Sequence, residues 1–473
     1  MSTVLETAPP RRVPLRQGAT VAVLAVSLAA GLLIHWGVAV MLLVLGLAIL
    51  HQPFDLLFAC VLIAITTPFA NYDGGQLTRE LGAVTLLILY ALACLAIGVR
   101  LGRWHWPRSG LTPALALLGV TTALSVVNGL LARHSLRFLG LELLPNLGFF
   151  IAPMLGGVAT TSRGRQVALS LLVVAALADV LLGFQAYAVN HQRIGGVYFT
   201  DNPGLVALIL LNLALRTEDR RARWGMLILM GAMILHQVIS FTRGYWFGLV
   251  AGVMLSFVMY GGRSRERWGR IARLSAGGAL VSLASLVTFG SWFGYGDIFV
   301  MIGQRLASSF SVGGSEGTIS NFARVVEYTA ALRSIAASPW FGHGLGFELL
   351  VRQPIYGIIT SQWYLHQSYL LMWLNQGVFG LIALVWLLFA GVRLGVAGAR
   401  TLPAEEAGWN AAAASCTLSV AVIALTNFVF ATVTTNFVIA LLWGIALSTS
   451  AHRENARAPA PGRDAMLARG RAL

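Results

Sequence analysis

The chain has 473 residues, of which 57% are hydrophobic and only 11% charged, with a formal net charge of +15 and a mean hydropathy of +0.76. A soluble chain of this length carries about a quarter charged residues and divides into two or three domains, so a soluble protein is excluded. All 33 basic residues are arginines gathered in short gaps between apolar runs, a pattern of loops held in the cytoplasm and not of a nucleic-acid surface.

In chain order, "MSTVLETAPPRRVPLRQG" (1–18) lacks a cleavage site, so the first apolar run reads as an anchor and not as a removed signal. A spanning helix needs ~20 mostly apolar residues, because hydrocarbon tolerates only a backbone that bonds to itself. Candidate spans are 19–35, 37–51, 53–70, 83–100, 111–130, 138–159, 167–189, 203–216, 224–241, 244–261, 272–290, 367–393, 408–428 and 432–450. Those at 37–51 and 203–216 are short enough to be re-entrant, so about 12–14 cross fully. The three cysteines, Cys60, Cys94 and Cys416, lie within apolar runs and offer neither a disulfide framework nor metal spacing. With the N-terminus inside, 24 of the 33 arginines fall on the cytoplasmic side, including "RTEDRRARW" (216–224) and "RSRERWGRIAR" (263–273). The expected orientation therefore has both termini cytoplasmic.

The segments expected are 1–290 as transmembrane helices with short loops, 291–365 as an external segment, 366–452 as the last transmembrane helices, and 453–473 as a disordered basic tail. The external segment is too long for an idle connection. Within it, "SNFARVVEYTAALRSIAASP" (320–339) reads as a helix stopped by Pro339. At 100° per residue Arg324 shares a face with Tyr328, Ala331, Leu332 and Ile335, and Arg333 points the opposite way. Arg333 is an ordinary solvated charge, whereas an unpaired charge on the apolar face is expensive.

No P-loop, Gly-rich strand–helix turn or HExxH spacing occurs. Three arginines stand on the face that should be poor in them: Arg193 in "NHQRIGGVYFTDNPG" (190–204), Arg243 in "SFTRGYWFG" (240–248), and Arg324. Each alone is equally explained by headgroup contact or a local ion pair, such as Arg324 with Glu327 one turn on. Together they make a receptor for a phosphate-bearing ligand, because the guanidinium fork binds phosphate oxygens bidentately. Glu142, Asp179 and His236 lie inside spans; they either relay protons or bond to neighbouring helices. His343 lies in the Gly-rich turn "PWFGHGLGF" (339–347). In "SQWYLHQSYLLMW" (361–373), His366 stands where the chain enters lipid, as interfacial side chains often do.

Three stretches resemble the O-antigen ligase and Wzy-type polymerase superfamily of bacterial membrane glycosyltransferases. "FTRGYWFGLVAG" (241–252) is similar to its Ser-Arg-Gly motif, with Thr242 in the Ser slot. "RVVEYTAALRSIAASPWFGHGLG" (324–346) is similar to its Arg helix and Pro-x-x-Gly-x-Gly turn. "LHQSYLLMWLNQGVFGLIAL" (365–384) is similar to its His-Asn/Ser-x-Tyr-Leu motif, with Gln367 in the Asn/Ser slot. The resemblance covers roughly residues 190–385; the flanking spans agree only in hydropathy.

The resemblance implies an all-α, polytopic transmembrane bundle with one long, partly helical periplasmic segment, in a bacterial inner membrane. It implies a GT-C-like, inverting, metal-independent glycosyltransferase with no cofactor. The donor is a glycan on undecaprenyl pyrophosphate; the acceptor is a glycan or lipid A-core hydroxyl, for O-antigen ligation or for O-antigen or exopolysaccharide polymerisation. No nucleic acid is a partner. The expected roles are His366 as base, Arg324 with Arg193 and Arg243 on the pyrophosphate, and Tyr328 and Tyr364 against sugar rings. A helix N-terminus at 367 would favour the neutral ring a base requires. The alternative is a transporter or flippase of a lipid-linked or anionic substrate, with paired broken helices in its two halves.

Overall fold

A computed structural model describes residues 109–150, 162–190, 202–240, 242–262, 264–292, 300, 302–304, 315–352 and 358–457. The expected spans before residue 109 and the tail beyond 457 lie outside the described residues. These hold eleven α-helices, a 3₁₀ turn and one two-stranded hairpin, so the protein is an all-α helical membrane protein. The helices are α1 (Leu111–Leu131), α2 (Leu136–Phe150), α3 (Ser162–Asn190), α4 (Asn202–Arg216), α5 (Arg220–Ile239), α6 (Arg243–Gly261) and α7 (Arg265–Trp292). Then come α8 (Ser315–Ala337), β1 (Leu349–Arg352), β2 (Ile359–Gln362), α9 (Ser368–Thr401), α10 (Ala404–Ile423), the 3₁₀ turn Val429–Ala431, and α11 (Val433–Arg457). By length and composition, α1, the 164–181 stretch of α3, α5, α6 and α9 are each able to cross a membrane.

Helix α10 is the axis of the bundle, buried on nearly every side. Its alanines and serines let neighbours approach closely, the usual solution where lipid removes any hydrophobic drive between helices. On α6 the glycines 244, 248 and 252 form one buried stripe against it. A Cβ at Gly248 would stand 2.7 Å from the Ser419 carbonyl, and one at Gly252 3.0 Å from that of Ser415. Asn212 of α4 ties three helices together, its Nδ2 donating to Ser256 Oγ at 2.8 Å and Ser415 Oγ at 2.9 Å. Trp443 Nε1 of α11 donates to Thr417 Oγ1 at 2.9 Å. These buried donors are thus satisfied between helices, as a medium without water demands. The short α4, a re-entrant candidate by length, is almost wholly buried. Facing no lipid, it has no bilayer thickness to match.

A smaller core lies over one end of the bundle. Ala331 and Ile335 of α8, Leu349 and Val351 of β1, and Leu365, Leu371 and Leu374 pack into one cluster. The antiparallel hairpin runs from Leu349 opposite Gln362 to Arg352 opposite Ile359. It brings the chain from α8 back to the start of α9.

Helix α6 fixes which ends belong together. At its start, a Cβ on Gly244 would collide with the side chains of Thr426 and Asn427. At its other end, Tyr260 meets Arg216 and Arg267. The 19 residues of α6 separate these ends by roughly 28 Å. The arginine bias predicts the Tyr260 end to be cytoplasmic. A cysteine introduced at Arg265 should therefore resist an impermeant maleimide applied from outside, while one in the 291–365 segment should react. The reverse labelling would overturn the orientation.

Candidate functional site

The expected span at 367–393 is a broken helix. Helix α9 starts at Ser368, with Gln367 as N-cap accepting from Leu370 N–H at 2.9 Å. At Gly377 the backbone leaves helical geometry, with φ 72° and ψ −175°, a region open to glycine and closed to larger residues. The break strands backbone groups that must find partners, and the turn after α8 supplies them. His343 and Gly344 N–H donate to the carbonyls of Leu374 and Asn375 at 2.8 and 3.0 Å, and Val378 N–H donates to the Pro339 carbonyl at 3.0 Å. Leu345 N–H reaches the Ser125 carbonyl on α1 at 3.0 Å. On α2, Glu142 Oε2 accepts from Gly346 N–H at 2.6 Å. His343 Nε2 meets the Ser334 carbonyl at 2.8 Å, and its ring stacks on Phe347 at 4.3 Å. The Pro-x-x-Gly-x-Gly turn is thus a plug that seats α8 across the break.

This seating brings Glu327 onto His366. Glu327 Oε1 accepts from the His366 backbone N–H at 2.6 Å, and Oε2 faces His366 Nδ1 at 2.8 Å. The carboxylate side chain is 5% exposed, the imidazole 35%. A carboxylate has no hydrogen to offer, so Nδ1 carries the proton and the neutral ring keeps its lone pair on Nε2. Tyr364 and Phe428 flank the ring, with centroids 5.7 and 6.1 Å away. Ser368 sews the segment to the facing loop, its N–H donating to the Ala424 carbonyl at 3.0 Å and its Oγ to the Asn427 carbonyl at 2.7 Å.

The structure assembles the arginines in part. Arg324 lies on α8 one turn before Glu327 and is half-buried, making no ion pair among the described residues. Its expected neighbours Ala331 and Ile335 are buried, Tyr328 is half-buried and Arg333 is exposed. Leu332, at 80° from Arg324 the most marginal member of that face, is instead 50% exposed. Arg243 opens α6 beside Gly244, which packs on Thr426 and Asn427 next to Phe428. Arg243, Arg324, Tyr328, Tyr364 and His366 therefore share one end of the bundle. Arg193 lies outside the described residues. Burial raises the Tyr328 phenol above its ordinary value, against the opposing pull of Arg324 and with a smaller push from Glu327. It therefore stays a neutral hydrogen-bond donor at physiological pH.

Glu327 is the residue sequence reasoning misplaced, as a local partner for Arg324. Its signal was available: at −60° from Arg324 it falls on the same inward face, where a carboxylate needs a partner of its own. Of the three residues considered for a proton relay, Glu142 is engaged by the turn. Asp179 Oδ2 accepts from Asn202 Nδ2 at 3.3 Å, and His236 is buried near the end of α5. Among the described residues no group of three or more His, Cys, Asp or Glu stands close enough to hold a metal ion.

Residues 228–385, a third of the chain, match the family model described as O-antigen ligase, Wzy_C. The interval contains Arg243, Arg324, Glu327, Tyr328, Tyr364 and His366 and leaves out Arg193. No curated protein matches the chain.

Proposed function

We propose, from the match of residues 228–385 to an O-antigen ligase family model, that the chain is an inverting glycosyltransferase acting at the outer face of a bacterial inner membrane. It moves a glycan from undecaprenyl pyrophosphate to an acceptor hydroxyl. The observation that carries this reading is the Glu327–His366 pair one helical turn from Arg324.

In this scheme the acceptor oxygen attacks the anomeric carbon from the side opposite the pyrophosphate. The anomeric C–O bond breaks with its electron pair passing to the pyrophosphate oxygen, so configuration inverts. The hydroxyl proton goes to His366 Nε2. Glu327 holds the tautomer with hydrogen on Nδ1 and stabilises the imidazolium as it forms. Arg324 and Arg243 meet the charge that grows on the leaving pyrophosphate. Tyr328 and Tyr364 present ring faces to the glycan. Helix α8 and the β1–β2 hairpin pack over the start of α9, beside the site.

The acceptor is a lipopolysaccharide core for a ligase, or a second lipid-linked repeat for a polymerase. A deletion strain separates them. Cell-surface glycan reduced to single-repeat caps marks a lost polymerase; long chains stranded on the lipid carrier mark a lost ligase. An unchanged surface glycan and no transfer by purified protein would refute the proposal.

Arg324→Lys should not be conservative. Lysine keeps the charge but loses the bidentate fork, so transition-state stabilisation should fall by about 2–3 kcal/mol, a rate loss of about 30- to 150-fold. Arg333→Lys, on the exposed side of α8, should be nearly silent. Equal losses in a single-turnover assay would show that the helix face does not matter.

A further inference from the structure

At the end of the bundle remote from His366, two helix termini aim three arginines at one aromatic ring. Arg216, the last residue of α4, places its guanidinium carbon 5.7 Å from the centre of the Tyr260 ring. Arg267, in the first turn of α7, places its own 5.8 Å away. Arg270, nearly one turn on, donates from Nη1 to Tyr260 Oη at 2.9 Å. Tyr260 itself is buried. Beside them Arg223 of α5 donates to the Thr217 carbonyl, while its buried Nε meets no hydrogen-bond partner among the described residues.

Among the described residues none of the four arginines forms an ion pair; Arg165, with Glu405 at 3.0 Å, is the arginine that does. Of the acids in the same loops, Glu218, Asp219 and Glu266, Asp219 caps α5, accepting from Arg221 N–H at 2.8 Å, and none forms an ion pair with these arginines among the described residues. Here like charges are held around one ring, an arrangement whose repulsion an anion would relieve.

The surroundings indicate an anion of a particular kind. Trp224 and Trp268 are exposed at 52% and 41%, on the first turns of α5 and α7, the position of an aromatic belt at headgroup level. Below the cluster the surface turns apolar. Tyr260 packs with Leu211, Leu215 and Ile271, and exposed Ile228, Met254 and Val258 continue away from the arginines along α5 and α6. A polar head above an apolar wall matches a phospholipid, and arginine pockets between helices take phosphate headgroups.

We propose that the α4–α5–α6–α7 end of the bundle is a binding site for an acidic phospholipid, with its phosphate held by Arg216, Arg267 and Arg270 around Tyr260. The site is separate from the proposed reaction and stands whether or not that reaction is correct. By the arginine bias it faces the inner leaflet.

Native mass spectrometry and thermal unfolding of the purified full chain test it, titrating phosphatidylglycerol against phosphatidylcholine, with inorganic phosphate as the soluble anion. Phosphatidylglycerol should bind and stabilise in preference to phosphatidylcholine. The double variant Arg267→Gln, Arg270→Gln should weaken phosphatidylglycerol binding by about 30-fold, two near-surface arginines' worth. Arg220→Gln with Arg221→Gln, which removes the same charge from exposed positions, should leave most of the binding. Tyr260→Phe, which keeps the ring and deletes only the hydroxyl that orients Arg270, checks the site if the double variant unfolds; it should weaken phosphatidylglycerol binding and spare phosphatidylcholine. Equal binding of the two lipids, or equal loss in the two double variants, overturns the proposal. So does full displacement of phosphatidylglycerol by millimolar phosphate, which would mark a soluble-anion site.

Discussion

His366→Ala should lose most turnover, by about 10²- to 10⁴-fold, the range that a positioned general base contributes. Binding of the lipid-linked donor should persist, because Arg324 and Arg243 remain. The loss should therefore appear in kcat and in kcat/KM together, and not as a raised KM. His366→Gln separates chemistry from position: glutamine keeps the backbone N–H that Glu327 accepts, yet offers no titrating nitrogen. Near-normal turnover by His366→Gln, measured on purified protein with lipid-linked donor and mass-spectrometric readout, would end the base assignment and leave an interfacial histidine.

The second large effect is expected at Glu327. In Glu327→Gln the amide oxygen can still accept from the His366 backbone N–H, which leaves the amide NH₂ facing Nδ1. A donor there forces Nδ1 to accept, and the ring hydrogen moves to Nε2. The nitrogen meant to take the acceptor proton is then already protonated. The wrong tautomer should cost about 10²- to 10⁴-fold in kcat, as loss of the carboxylate does in a Ser-His-Asp triad. Donor affinity should change little, since the arginines do not depend on Glu327 for an ion pair. A Glu327→Gln protein with normal kcat would show that the carboxylate merely fastens α8 to the start of α9. A normal thermal midpoint alongside low kcat would exclude a folding defect.

Much of the helical plan was legible in the amino-acid order. Leu111–Leu131, Arg220–Ile239 and Arg243–Gly261 begin and end within four residues of the spans expected from hydropathy, because length and apolarity alone decide what can lie in hydrocarbon. The inward face of α8 followed from helical phase, which placed Arg324 with Ala331 and Ile335 and turned Arg333 outward. Helix α9 was harder. Its apolar run reads as continuous through residue 377, and one glycine among 51 carries no sign that it breaks a helix. The break is stable only because His343, Gly344 and Pro339 arrive from another segment to satisfy the stranded backbone groups.

By itself the sequence determined the class of this protein, several of its helical spans, the arginine asymmetry and the short motifs that resemble a ligase family. These rest on composition, on period and on spacing, all local quantities. Tertiary structure alone decided that Glu327 belongs to His366, 39 residues away, and that Arg243 comes to the same end through the packing of Gly244 on Thr426 and Asn427. It also decided that Arg216, Arg267 and Arg270 converge on Tyr260. A carboxylate or a guanidinium on a helix face shows that some partner is needed. Which partner it meets is set by how that helix is seated, and the seating of α8 depends on a turn that fits a break in α9.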